Sequence, residues 1–171
     1  GKTSLMKTIY GNVESPMYIA NGSVELIVDE MGQQKVIPNQ EIHKYWWEYI
    51  SYIPQASMSV LNPVVRIKDQ FLDSFQRSGV RELDKSALLR RMADYLQELE
   101  LPADVLNAYP HQLSGGMRQG VIVAMATFVH PRFVLADEPT TALDVVVQRG
   151  ILTMLMRLQD HERVEFSVGR E

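Results

Sequence analysis

Arg132-Phe133-Val134-Leu135-Ala136-Asp137-Glu138-Pro139 is the stretch on which the reading of this chain turns. Its apolar run is short and continuous, without the alternation of a half-exposed strand. That predicts a parallel strand covered on both faces. Two adjacent carboxylates close the run and Pro139 stops it. At such a strand end Asp137 can hold Mg²⁺ through water, and Glu138 can accept a proton from an attacking water, as nucleotide hydrolysis requires. The plainer alternative is a strand followed by an acidic turn.

Upstream lies Leu113-Ser114-Gly115-Gly116-Met117-Arg118-Gln119. Ser114 can cap a helix spanning about Met117 to Phe128, and the two glycines leave the backbone open to close approach. The positive end of that helix would face an anion. A capped helix after a flexible turn is the other reading. Downstream, Val145 to Leu158 reads as a helix despite the poor propensity of its three opening valines. The chain begins Gly1-Lys2-Thr3-Ser4, the closing part of a phosphate-binding loop G-x-x-x-x-G-K-[ST], in which backbone amides and a helix N-terminus surround phosphate. Alone, this tetrapeptide is also an ordinary helix start. Residues 5–10 predict a helix stopping at Gly11, Ser23 to Asp29 a strand before a turn through Gly32, and Tyr49 to Pro54 a short strand. Residues 66–108 turn helical, with Leu88, Met92, Tyr95, Leu96 and Leu99 on one face, Asp84 as N-cap and Pro102 beyond the end. Strands alternating with helices, with an inserted helical lobe, make an α/β fold.

The chain has 171 residues, with 17 Lys+Arg against 21 Asp+Glu, a net charge of −4. This mildly acidic balance lacks the clustered basic residues of a nucleic-acid binder. A hydrophobic fraction of 46% with 22% charged residues excludes a disordered chain. With no cysteines there is neither a disulfide framework nor a thiolate metal site, which fits a reducing compartment. The longest apolar stretch, Val121 to Val129, is far short of the ~20 residues of a membrane helix. Trp46 and Trp47 can stack on a base, but adjacent aromatics before a strand read better as packing. The nine methionines read as core filler.

Together these segments resemble the ATP-binding-cassette (ABC) ATPases. LSGGMRQ is followed, 23 positions from Ser114, by the aspartate of DEP and then by Thr140-Thr141-Ala142-Leu143-Asp144. GKTS stands where the family's phosphate loop ends, and Tyr52-Ile53-Pro54-Gln55 is similar to its Q-loop. SMSVLNPV (57–64), YPHQLSGGMRQ (109–119) and DEPTTALDVVVQ (137–148) resemble the ATP-binding subunits of oligopeptide and dipeptide importers.

The resemblance, over about residues 1–160, implies a P-loop NTPase (RecA-like) core at 1–65 and 113–171, with a helical subdomain at 66–112. It implies ATP and Mg²⁺ as cofactors. Gly1, Lys2, Thr3 and Ser4 would grip phosphate, with Thr3, Gln55 and Asp137 at the metal and Glu138 and Gln55 at the catalytic water. Ser114, Gly115, Gly116 and Gln119 would meet the nucleotide of a second ATPase subunit, and Asp144 would couple the two sites. The implied partners are that subunit, membrane-spanning permease subunits and, indirectly, a solute-binding protein. The implied place is the cytoplasmic face of the cell membrane. Chromosome-maintenance and DNA-repair ATPases share the LSGG signature, but only 112 positions separate Lys2 from Ser114, without heptads, cysteines or a basic stripe. A non-catalytic nucleotide-binding regulator is a further alternative, disfavoured by the intact Glu138.

Three departures from the family pattern stand out. The chain opens inside the phosphate loop, so the expectation is a core incomplete at both ends, marginally stable and with little ATPase activity alone. Val164, Phe166 and Val168 alternate with polar residues, predicting a half-exposed strand rather than a buried parallel one, and no switch histidine follows. His130 and His161 precede their strands and cannot serve as that switch. Gly120 replaces the family's usual arginine, and a helical glycine costs ~1 kcal/mol relative to alanine, which calls the packing behind the signature loop into question.

Overall fold

A computed structural model describes residues 1–30, 32–55, 60–77, 84–140, 145–162 and 165–169. The elements run α1 (Lys2–Tyr10), β1 (Glu25–Glu30), β2 (Gln33–Pro38), a 3₁₀ segment (Asn39–Tyr45) and β3 (Ile50–Ile53). Next come α2 (Ile67–Arg77), α3 (Lys85–Glu98), two 3₁₀ turns (Ala103–Asn107, Pro110–Gln112) and α4 (Gly115–Thr127). The chain then forms β4 (Phe133–Asp137), α5 (Val145–Glu162) and β5 (Glu165–Gly169).

β3, β4 and β5 form a parallel sheet with β4 in the middle. Its register decides which core each side chain joins. Ile50 pairs with Phe133 and Tyr52 with Leu135, while Ser51 pairs with Val134 and Ile53 with Ala136. Alternation sends the first set to one face and the second to the other. On the first face a small core gathers Tyr10, Val28, Ile37, Ile42, Ile50 and Leu135. On the second, Ile53, Val134 and Ala136 join a larger core built from α2, α3, α4 and α5. The helical lobe therefore shares one continuous core with α4 and the sheet.

Local chemistry explains the ends of these elements. α1 stops at Gly11, whose φ of 75° suits a residue without a Cβ; a Cβ there would lie 2.9 Å from the Asn39 carbonyl oxygen. Two of the last α1 carbonyls accept side-chain hydrogen bonds, Thr8 O from Asn39 Nδ2 at 2.6 Å and Tyr10 O from Trp46 Nε1 at 2.7 Å. Trp46 also stacks on Tyr10, with ring centroids 4.6 Å apart, so it packs rather than awaits a base. The predicted face of α3 is buried throughout.

Four sequence expectations change. β5 pairs in parallel with β4 from Glu165↔Phe133 to Asp137↔Gly169, which corrects the direction in the expectation of a half-exposed strand rather than a buried parallel one. α5 returns the chain to the same end of the sheet, a connection that enforces parallel pairing whatever the polar alternation. β2 was not foreseen, because Gln33-Gln34-Lys35 carries no strand signal; its antiparallel pairing with β1 supplies one. Asp84 stands before α3, but its carboxylate accepts from the Ser86 hydroxyl instead of capping helix amides. Gly120 is not a packing defect: a Cβ there would meet both Leu101 methyls at 3.1 Å, so the missing side chain admits Leu101.

Candidate functional site

The register that sorts the cores also assembles the site. Asp137 follows Leu135 by two residues and so continues the Tyr52 face, the one that α1 covers. There the Tyr52 hydroxyl donates to Asp137 Oδ2 at 3.0 Å. Asp137 is 1% exposed, and its Oδ1 is buried with no hydrogen-bond partner among the described residues. Burial, reinforced by the hydrogen bond to Asp137 and by its charge, raises the Tyr52 phenol well above its usual value, so it remains a donor.

One residue further, Glu138 leaves the strand at φ 46°, a left-handed conformation that costs a side-chain-bearing residue ~1–2 kcal/mol. Outliers of this kind cluster at functional sites. This turn points Glu138 at the end of β3, where Gln55 Nε2 donates to its Oε2 at 2.9 Å. The ends of β3 and β4 are therefore tied twice, Tyr52 to Asp137 and Gln55 to Glu138.

Gly1 precedes α1, and Lys2, Thr3 and Ser4 form its first turn, all exposed except the half-buried Thr3. No acidic residue occupies that turn, leaving the positive helix end uncompensated. Ser114 caps α4 as expected, its Oγ accepting from Met117 N at 3.2 Å. Gly115 and Gly116 make the half-buried first turn. Gln119 is 3% exposed, which turns its side chain into the protein rather than toward a second subunit. Asp144 lies outside the described residues. The structure thus joins Gln55 to Glu138, and joins Asp137 to a residue the sequence reading passed over. That residue is Tyr52, which the β3–β4 register, and not its own strand alone, brings to the Asp137 side.

The donors suit a hard cation. The buried, orphaned Asp137 Oδ1, the Thr3 hydroxyl and the Gln55 amide are oxygen ligands of the type Mg²⁺ takes beside substrate phosphates. Among the described residues no three His, Cys, Asp or Glu gather into a metal cage. At the β3 edge a cavity of about 380 Å³ is lined by Trp47, Tyr52, Leu61, Val65, Ile122 and Met125, among others. It lies between the strand leading to Gln55 and the helical lobe. Among the described residues no helix is long and apolar enough to cross a membrane.

The chain resembles known proteins along most of its length. The chain is 40% identical over 143 residues to the oligopeptide transport ATP-binding protein OppD of Haemophilus influenzae, covering 82% of this chain and 44% of that protein. It is 35% identical over 176 residues to the dipeptide transport ATP-binding protein DppD of Lactococcus lactis, covering 98% and 47%. The glutathione import ATP-binding protein GsiA of Salmonella typhimurium is 43% identical over 121 residues, 70% of this chain and 19% of that protein. The chain therefore spans less than half the length of these relatives. A dimeric bacterial ABC transporter cassette superposes with a TM-score of 0.73 at 24% identity, covering all of this chain and 70% of that one, which establishes the fold. With residues 1–141 matching the family and the carboxylate pair standing at the end of its central strand, the chain belongs to the ABC transporter family.

Proposed function

We propose that this chain is the nucleotide-binding part of an ATP-hydrolysing subunit that drives import of peptides across a membrane. The observation that carries the reading is the double tie at the ends of β3 and β4. Gln55 holds Glu138, and Tyr52 holds a buried Asp137 with one oxygen left for a cation. Lys2 and the first amides of α1 would bind the β- and γ-phosphates. Asp137 would hold Mg²⁺ through Oδ1, with Thr3 and Gln55 offering further oxygens. When bound, Mg²⁺ neutralises charge on the transferring phosphoryl group. Glu138 would take the proton of the attacking water, and Gln55, hydrogen-bonded to it, would fix its direction.

Ser114, Gly115 and Gly116 would close on nucleotide held by a second ATPase subunit, the arrangement that a dimeric structural neighbour supports. A further neighbour is a post-hydrolysis cassette with ADP and phosphate bound. We take residues 66–112 as a helical subdomain and the remainder as the nucleotide-binding core. The cavity at the β3 edge, where Leu61, Val65, Ile122 and Met125 lie beside Asp69 and Asp73, would be the place on which a helix of a permease subunit docks. That contact would hold the protein at the cytoplasmic face of the membrane. The names of the relatives support peptides as cargo.

Replacing Glu138 by Gln in the intact protein tests the reading. ATP binding should persist while hydrolysis falls ~10²- to 10⁴-fold; unchanged hydrolysis would remove Glu138 from the role of base.

A further inference from the structure

We infer that Tyr52 is a positioning residue for the cation: its hydroxyl holds Oδ2 of Asp137 so that Oδ1 faces the metal. The inference rests on the ATPase reading above and adds a residue to it.

Asp137 ends a strand and is almost wholly enclosed, so its carboxylate has few possible partners. One oxygen is 3.0 Å from the Tyr52 hydroxyl and the other has none among the described residues. A buried carboxylate oxygen left unpaired is costly, which makes the orientation of this group consequential. If Oδ2 were not anchored, rotation about the side-chain bonds could exchange the two oxygens or turn both from the cation. Tyr52 is itself fixed. Its backbone is locked in register opposite Leu135, and its ring lies 5.4 Å from that of Tyr10 at the end of α1. Tyr10 is in turn stacked on Trp46. An outer hydrogen bond that fixes a metal-binding carboxylate is the kind whose loss weakens metal binding ~10- to 100-fold.

Tyr52→Phe is the informative change, because it keeps the ring, its contact with Tyr10 and its place in the cavity wall while deleting the hydroxyl. In the intact protein, Mn²⁺ binding followed by electron paramagnetic resonance in the presence of ADP should weaken about tenfold, while ADP binding without metal stays as before. The Mg²⁺ concentration for half-maximal ATP hydrolysis should rise in step, and saturating Mg²⁺ should restore most of kcat; a merely structural defect would not be rescued by metal. Mn²⁺ binding as tight as, or tighter than, that of the unaltered protein would overturn the inference and leave the ATPase reading intact. Unaltered protein that takes up no Mn²⁺ with nucleotide would overturn both.

Discussion

The two faces of the small parallel sheet are built on different terms. The face toward the helical lobe is a large apolar core in which Phe128 meets the rings of Phe71, Phe75 and Tyr95 at 5.1 to 5.8 Å. Within it the Tyr95 hydroxyl donates to Thr127 Oγ1, which donates to the Val123 carbonyl oxygen, each at 2.8 Å, while the small Ser51 hydroxyl is buried without a hydrogen-bond partner among the described residues. The face under α1 has a smaller core and ends in polar groups that are not all satisfied within the chain, Asp137 above all. The same strands serve both faces. Alternation along β3 and β4 lets one set of side chains contribute stability while the other presents reacting groups. The lesson is that stability and chemistry are separable here by the parity of a residue.

Mutations can break or sharpen that division. Asp137→Asn should lower hydrolysis about 10²- to 10³-fold, with no loss of unfolding free energy, since the amide oxygen still accepts from Tyr52. A several-fold loss of folded protein in a denaturant titration would show the faces are not separable. Phe128→Ala is the mirror case. It should cost about 3–5 kcal/mol of stability, while the turnover of molecules that remain folded is kept. Thr127→Val leaves the Tyr95 hydroxyl buried without its acceptor and should cost about 1–3 kcal/mol by chemical unfolding. Adding Tyr95→Phe should recover part of that loss.

Gly120→Ala gains about 1 kcal/mol of helix propensity but crowds Leu101. The expected net is a loss of order 1 kcal/mol, whereas the same change made in a Leu101→Ala background, itself destabilised by the lost core packing, should stabilise; simple stabilisation by the single change would mean Leu101 yields freely. The smallest effect belongs to Lys44→Ala. Lys44 holds the exposed Glu41 carboxyl below its usual value, first by a hydrogen bond and then by charge. Stability from that pair is therefore present above the ordinary carboxylate range and is lost as pH falls through the lowered value. Both partners are more than half exposed, so the unfolding midpoint at neutral pH should not move measurably.

Much of this was legible in the residues. The apolar run before Asp137 announced a buried parallel strand, Ser114 announced a capped helix, and the apolar spacing of α3 announced its buried face. These signals are local, and the forces that act on them are local as well. What escaped depended on partners distant in sequence. β2 exists because β1 offers it hydrogen bonds, not because of its own composition. β5 takes its parallel direction from the α5 crossover. Gly120 gained a role from Leu101 across the fold, whereas Asp84 is the local exception, its capping role lost to the Ser86 hydroxyl two residues on. Tyr52 was missed because its importance lies in strand register with β4, which no window of sequence contains.

The account stands most directly on a structure of the Glu138→Gln protein with Mg²⁺ and ATP. It predicts the γ-phosphate between Lys2 and the Ser114-Gly115-Gly116 turn of a second subunit, with the cation on Asp137 Oδ1. A nucleotide bound elsewhere, or a signature turn facing away from any phosphate, would contradict it.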